Sequence, residues 1–369
     1  MRISLLEERE DFEKILKDTL ENTTFFKNRK GLKEVKYYIN EYLNFIATNK
    51  LSRNVFQTLV NEYSSSLIWW KKGVQLIYVT LATSKFFRSF LAQKSIMLSE
   101  DFKEYLILGG NHRIRLFCGE LKDSIVLLKS GENENFIKND IAIRTENTLS
   151  YAPKIFNSEK DWLREEYFNG IPINRLGVKE GIKELTDLII KNHTEELLMP
   201  TSEEIYLKDY IQFIEKDVST LLFNKRIKVK NNVVDLIQEI FSILFKKLQS
   251  DVIKTSWSHG DFQAANILVK DKNYKVIDWE ASNKRYYLYD VFTLLSKIRS
   301  NIPLIDAINN FKKVETNLDN TYSRNKDEII LFIIEELRFN INEEFSENFY
   351  SAGEKTAKLC NSIISYINE

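Results

Sequence analysis

The chain is poor in the residues that interrupt or staple a fold. Its 369 residues include four prolines, eleven glycines and two cysteines. So few breakers predict long helices. Cys118 and Cys360 lie far apart in sequence, which excludes a disulfide framework and fits a reducing, cytoplasmic setting. Three histidines in no ligand spacing exclude a structural zinc site. An excess of one charge is missing too, since 53 basic residues balance 53 acidic ones. Nucleic acid is therefore not an expected partner, because binding its backbone needs a basic surplus. The first ten residues lack the apolar run of a secretion leader. The most apolar stretch, Leu67 to Leu91, contains Lys71, Lys72, Lys85 and Arg88, too much charge for a membrane span. Trp69 and Trp70 beside two lysines leave peripheral membrane contact open as an alternative. The stretch is read instead as a buried helix face with lysine stems reaching outward.

What is present is concentrated near residue 260. Ser258-His259-Gly260-Asp261 is followed by Asn266, and Ile277-Asp278-Trp279-Glu280 comes shortly after. Phosphoryl transfer needs one carboxylate to take a hydroxyl proton, and a second carboxylate with an amide to hold magnesium on the nucleotide phosphates. Asp261, Asn266 and Asp278 stand in the order and spacing that suit those tasks, five and twelve residues apart. Between Asn266 and Asp278, a hairpin is predicted: strand 266–269, turn 270–273, strand 274–277.

These residues resemble the aminoglycoside phosphotransferase and choline kinase family, the small-molecule branch of the protein-kinase-like fold. That family writes its catalytic loop His-Gly-Asp with a later Asn, here His259, Gly260, Asp261 and Asn266. Its metal aspartate follows as Ile-Asp-Trp, here Ile277-Asp278-Trp279, and a downstream aspartate opens a helix under the loop, a slot that Asp290 fits. The resemblance implies an α+β, two-lobe fold: a small β-rich lobe with hinge over 105–170 and a helical large lobe over 171–369. Residues 1–104 lie outside it. There Phe12, Ile15, Leu16 and Leu20, then Tyr37, Tyr38, Tyr42, Leu43 and Ile46, recur at helical spacing and predict a separately packed helical extension.

From Tyr105 the pattern turns to strands: Leu106–Leu108, Arg113–Phe117 and Ser124–Lys129, with Gly109-Gly110-Asn111 and Gly119–Asp123 as turns. A helix is predicted over 136–149, extended chain at 152–156, and a last strand with the hinge over Trp162–Gly170. Beyond Ile173 helices are expected at 203–222, 232–249, 289–299, 325–344 and 350–367.

The resemblance gives the remaining roles. Lys129 would position the α- and β-phosphates as a point charge. Its acidic partner is left among Asp140, Glu134 and Glu146, with Asp140 nearest. Gly109, Gly110 and Asn111 would approach the phosphates, and backbone at Glu166, Tyr167 and Phe168 would meet the adenine edge. His259 would support the loop. Glu335, Glu336, Glu343 and Glu344 read as a solvated helix face rather than a pocket lining. The implied activity is transfer of phosphate from ATP, or GTP in its place, to a small-molecule hydroxyl with Mg²⁺. A sugar or surface-glycan intermediate is favoured over an aminoglycoside or choline-like amino alcohol. An inactive scaffold displaying its N-terminal helices to a partner protein is a second reading, opposed by the intact Lys129, Asp261, Asn266 and Asp278 set. A protein kinase is a third, opposed by Gly260 and Glu280.

Overall fold

The computed structural model describes residues 3–7, 11–26, 33–63, 69–119, 122–176, 181–222, 231–300, 302–315, 326–345 and 353–368. Leu67, Ile68, Glu120, Leu121, Asn325 and residues 350–352 of the predicted elements fall outside that description. The chain forms two compact units, residues 1–182 with 267–280, and residues 183–266 with 281–369.

The first unit opens with α1 (Ile3–Glu7) and α2 (Phe12–Asn22), then β1 (Glu34–Asn40), β2 (Phe45–Ala47), α3 (Gln57–Tyr63), α4 (Trp69–Ala82), α5 (Arg88–Leu91) and β3 (Lys94–Ser99). The helices expected of residues 1–104 are there, but Tyr37, Tyr38 and Ile46 lie in strands. Local spacing misled because aromatic and β-branched residues suit a strand as well as a helix face. The region is not a separate module either. It is followed by β4 (Leu106–Gly109), β5 (Arg113–Phe117), β6 (Asp123–Leu128), α6 (Asn135–Glu146), β7 (Ile155–Ser158), β8 (Trp162–Glu166) and β9 (Ile171–Pro172). Eight of these strands form one sheet, ordered β3-β1-β2-β4-β5-β6-β8-β7. Phe45 pairs with Leu108 and Ile46 with Ile107, so the extension continues the small-lobe sheet.

Each face of that sheet has its own cover. Strand side chains alternate between faces. Ile107, Ile114, Leu116, Ile125 and Leu127 pack with Ile3, Leu6, Phe12, Leu16 and Leu20 of α1 and α2. Val126 and Leu163 point the other way and pack on Ile137 of α6. Polar ties fix the N-terminal helices: the Ile3 N–H donates to Asn44 Oδ1 at 2.9 Å, Asn44 Nδ2 donates to the Gly109 carbonyl at 3.0 Å, and the Ser130 N–H donates to Thr19 Oγ1 at 2.9 Å.

The second unit begins with α7 (Ile182–His193), β10 (Glu203–Tyr206), α8 (Leu207–Leu222), α9 (Asn231–Lys247) and β11 (Val252–Ser258). The expected helix at 203–222 thus starts four residues late, after a strand that pairs with β11. The chain then returns to the first unit for β12 (Ile267–Lys270) and β13 (Asn273–Val276), the predicted hairpin, whose β12 also pairs with β9. Strand β14 (Asn283–Tyr286), α10 (Tyr289–Ser296), α11 (Leu304–Glu315), α12 (Lys326–Glu344) and α13 (Glu354–Asn368) complete the second unit. Tyr210, Ile214, Val218 and Leu222 form the buried stripe of α8, while α12 is buried nearly all round. Neither cysteine forms a disulfide, and burial pushes the Cys360 thiol up to about 12, so it is an inert core residue.

Candidate active site

Strand β11 delivers His259, Gly260 and Asp261 into the second unit, where buried groups fix each in turn. Asp290, in the first turn of α10, accepts the N–H of His259 at 2.6 Å and of Gly260 at 3.0 Å, and contacts His193 Nε2 at 2.9 Å. Burial pushes this carboxyl up, but His193, His259 and the Gly260 N–H outweigh it and hold its pKa below the usual carboxylate range. His259 is fully buried, and its Nδ1 accepts the Asp261 N–H at 3.2 Å. It therefore props the loop. Gly260 has φ +84°, and a Cβ there would lie 2.2 Å from the Ala281 carbonyl oxygen. Only glycine fits, which explains why no arginine stands at this position.

The Asp261 carboxylate is held from three sides. Gln263 Nε2 donates to both oxygens at 3.0 and 2.8 Å, and Asn266 Nδ2 donates to Oδ2 at 2.8 Å. Arg299 Nε lies 3.4 Å from Oδ1. Arg299 went unnoticed in the sequence, where it is one cation among 53. It also donates to Glu336 Oε1 and the Tyr289 hydroxyl, both at 2.9 Å, and stacks 3.6 Å from the Phe339 ring centroid. Burial works against its charge, but Glu336, Tyr289 and Asp261 outweigh that and raise its pKa. Glu336 is itself raised by burial, against the pull of Arg299.

Asp261, Gln263, Arg299, Glu336 and Phe339 line a cavity of about 420 Å³ within the second unit. Its wall carries three carboxylates, Asp261, Glu336 and Glu343, and three cations, Arg299, Lys355 and Lys358, with Phe339 as an apolar patch. The solvated-face reading of the α12 carboxylates therefore fails: Glu336 and Glu343 line the cavity, and Glu335 and Glu344 are buried. Glu335 and Glu344 do sit elsewhere: Glu335 is buried between Tyr210 and Arg338, and Glu344 accepts the Lys355 and Thr356 N–H groups that open α13.

In the first unit, Asp278 has φ +70° and a side chain 44% exposed. A left-handed backbone at a non-glycine residue is uncommon and is often kept where it aims a functional group. Arg113 Nη2 lies 3.3 Å from Asp278 Oδ1, Arg113 Nε lies 2.9 Å from Glu280, and Arg113 Nη1 donates to Asp140. Burial opposes the Arg113 charge, yet Glu280, Asp140 and Asp278 raise its pKa. Arg144 completes the cluster, donating to Asp140 at 2.6 Å and to Glu165 at 2.8 Å.

Lys129 does not join this cluster, contrary to the sequence reading. It shares the strand face of Ile125 and Leu127, under α2. There its Nζ donates to the Asn111 carbonyl at 2.7 Å and lies 5.8 Å from the Phe12 ring, with the residue 1% exposed. Among the three candidate acids, Asp140 is engaged by Arg113 and Arg144, and Glu134 pairs with Lys138 at the surface. Glu146 is exposed. Alternation along 125–129 could have shown this, since a lysine two residues after a core leucine points into the same core.

The glycine turn is also differently employed. A Cβ on Gly109 would meet Ile3, Leu6 and Phe12 at 3.2 Å, so that glycine makes room for the N-terminal helices. A Cβ on Gly110 would lie 2.5 Å from the Arg113 carbonyl oxygen, the mark of a tight turn. At the expected hinge, the Glu166 N–H donates to the Lys154 carbonyl and the Tyr167 N–H to the Lys122 carbonyl, while the Phe168 carbonyl accepts the Gly170 N–H.

As to magnesium, oxygen ligands suit this hard cation, and two side chains suffice where phosphates and water complete the shell. Asn266 spends its Nδ2 on Asp261, and no described residue hydrogen-bonds its Oδ1, the atom a cation would take. Asp278 offers an exposed carboxylate. The donor set fits.

Residues 215–313 match the model of the phosphotransferase enzyme family. The matched span contains His259, Gly260, Asp261, Asn266, Asp278, Asp290 and Arg299, and the family resemblance read from the motifs holds over it. It is well under half of the chain. Among solved structures, the choline kinase of Cryptosporidium parvum Iowa II is 14% identical, with 73% of this chain and 90% of that one covered and a TM-score of 0.47. A thermostable mutant of aminoglycoside phosphotransferase APH(4)-Ia is 12% identical, with 71% and 94% covered and a TM-score of 0.46. The choline kinase LicA of Streptococcus pneumoniae is 14% identical, with 72% and 91% covered and a TM-score of 0.43. Likenesses this weak carry no conclusion about substrate. No curated protein matches the chain in sequence. Among the described residues, no helix is long and apolar enough to cross a membrane.

Proposed function

We propose that the chain is an ATP- and Mg²⁺-dependent phosphotransferase that acts on a hydroxyl of a small molecule. The observation that carries this reading is the Asp261 carboxylate, aimed by Gln263, Asn266 and Arg299 at the wall of a 420 Å³ cavity. Asp261 accepts the acceptor's hydroxyl proton and orients the resulting oxygen toward the γ-phosphorus. Asn266 and Asp278 would hold the magnesium ion, which when bound would neutralise charge on the phosphates. Catalysis is then positioning and electrostatics without a covalent intermediate.

We assign to Arg113 the phosphate-positioning role that Lys129 would have had. Its support is geometric: Arg113 lies on the α6 face of the sheet and contacts both Asp140 and Asp278. An ammonium and a guanidinium differ here, since the planar fork can bind a carboxylate and a phosphate oxygen together. Calorimetric titration with Mg·ATP tests the assignment. Arg113→Met should weaken binding at least tenfold and Arg113→Lys should recover part of it, whereas Lys129→Met should lower the melting temperature more than the affinity. The reverse pattern would return the role to Lys129.

The cavity's equal number of carboxylates and cations supports a neutral, hydroxyl-rich acceptor such as a sugar over a polycation. The enzyme reading itself is tested by following ADP release against a panel of sugars, amino alcohols and aminoglycosides, with Asp261→Asn as control. Acceptor-dependent turnover that vanishes in the control supports it. ATP binding without any transfer would favour a scaffold.

A further inference from the structure

The α4–α5 segment bears an apolar face turned to solvent. Trp70, Val74, Ile77 and Leu81 are spaced four, three and four residues apart, so they form one stripe along α4. All four are exposed, Ile77 to 64%. On the opposite side of the helix, Val79 and Ala82 pack into the core with Phe45, Phe56 and Phe117. The apolar surface continues past the helix through Phe86 and Phe90, each 82% exposed, and begins with Trp69 at 84%. Soluble surfaces seldom gather this many large apolar side chains. The helix has therefore two apolar faces, and its own unit covers one of them among the described residues. The sequence reading of a buried face with outward lysines holds for the Val79 side and misses the apolar stripe on the other.

The charges around the face have one sign. Between Glu62 and Glu100 the chain has no acidic residue, but it has Lys71, Lys72, Lys85, Arg88 and Lys94. Arg88 is buried against the Phe56 ring, and Lys94 pairs with Glu7 and Glu41. Lys71, Lys72 and Lys85 are exposed, and none has a carboxylate partner among the described residues. In a chain of zero net charge, this is a local cationic rim around an aromatic patch.

We propose that this face docks on an anionic lipid bilayer. Trp69, Trp70, Phe86 and Phe90 would lie at the boundary of headgroups and acyl chains, where amphipathic aromatic rings are most at home. Lys71, Lys72 and Lys85 would meet the anionic headgroups, each adding to the attraction. A second copy of the chain is the poorer occupant. A two-fold interface would set these lysines near their own images with no carboxylate in the patch to answer them. The proposal is independent of the phosphotransferase reading, because none of these residues belongs to the cavity of Asp261 or to the Arg113 cluster.

The test uses full-length protein and vesicles of phosphatidylcholine, with and without phosphatidylglycerol. Co-sedimentation measures binding, and tryptophan emission reports the surroundings of Trp69 and Trp70. Binding should require phosphatidylglycerol, weaken with salt and shift the emission to the blue. Lys71→Gln with Lys72→Gln should weaken it on the order of thirtyfold. Ile77→Glu with Trp70→Glu should abolish it, and unchanged circular dichroism and melting show that these surface variants fold. Equal binding to uncharged vesicles, or no binding to either, would overturn the proposal. So would a concentration-dependent dimer, seen by light scattering, that Ile77→Glu dissolves.

Discussion

Helices α12 and α4 invert the ordinary rule of inside and outside. In α12 the charged residues Glu335, Glu336 and Arg338 are buried to 1% exposure or less. In α4, tryptophans and aliphatic side chains stand in solvent. The difference lies in what faces each residue. Each of these three charges meets an answering group: Arg338 meets Asp217 at 2.7 Å and Glu335 at 3.3 Å, and Glu336 meets Arg299 and Tyr289. Burial of charge is tolerable only with such partners. The stripe on α4 meets none among the described residues. A helix's environment follows from its neighbours, and side-chain class alone does not predict it.

The contrast can be broken at four places. Arg338→Met should cost about 3–5 kcal/mol, because it strands Glu335 and Asp217. Urea unfolding measures this, and a loss no larger than that of a surface change would show that the α12 charges are not mutually dependent. Asp261→Asn should lower turnover on the order of 10²-fold or more while sparing nucleotide affinity. Single-turnover transfer alongside calorimetry decides it, and near-normal turnover removes Asp261 from its role. Asp290→Asn should cost about 2 kcal/mol at neutral pH, through weakened bonds to the His259 and Gly260 N–H groups. Its pKa is depressed in the folded state, so the wild-type advantage is full above the unfolded value of about 3.9 and fades as pH falls through the lower folded value. Paired melting curves at neutral and strongly acidic pH follow that gap, and a gap that widened on acidification would contradict it. Ile77→Gln, on the exposed stripe, should change stability by less than about 0.5 kcal/mol. A large loss in the free protein would mean that the stripe is already covered.

Much of the fold was legible because its signals are local. The glycine turn and three strands after Tyr105, the hairpin before Asp278, and the apolar stripe of α2 each announce themselves within a dozen residues. The N-terminal strands were not legible. Val35, Tyr37 and Ile39 become β1 only because β3, more than fifty residues away, pairs along them. The same non-locality means that residues 101–369 are not a cut the sheet permits, since removing β2 bares the edge of β4. The Asp261, Asn266 and Asp290 positions were readable from fixed offsets. Arg299 and Arg113 were not, because a cation's role depends on which carboxylates the fold brings to it. Lys129 shows the converse, a well-spaced lysine whose strand face is set by alternation and turns it under α2.

The β12–β13 hairpin gives the chain an unusual schedule. It belongs to the first unit, pairs there with β9, and its Val276 N–H donates to the Tyr151 carbonyl at 2.7 Å. Yet it is synthesised only after residues 183–266, which belong to the second unit. The first unit cannot close as it leaves the ribosome. It waits with its β9 edge unpaired while much of its neighbour emerges, a period in which strand edges are open to wrong partners. Maturation of the two units is thereby interlocked in time, and an interrupted chain ending before Ile267 leaves neither unit complete.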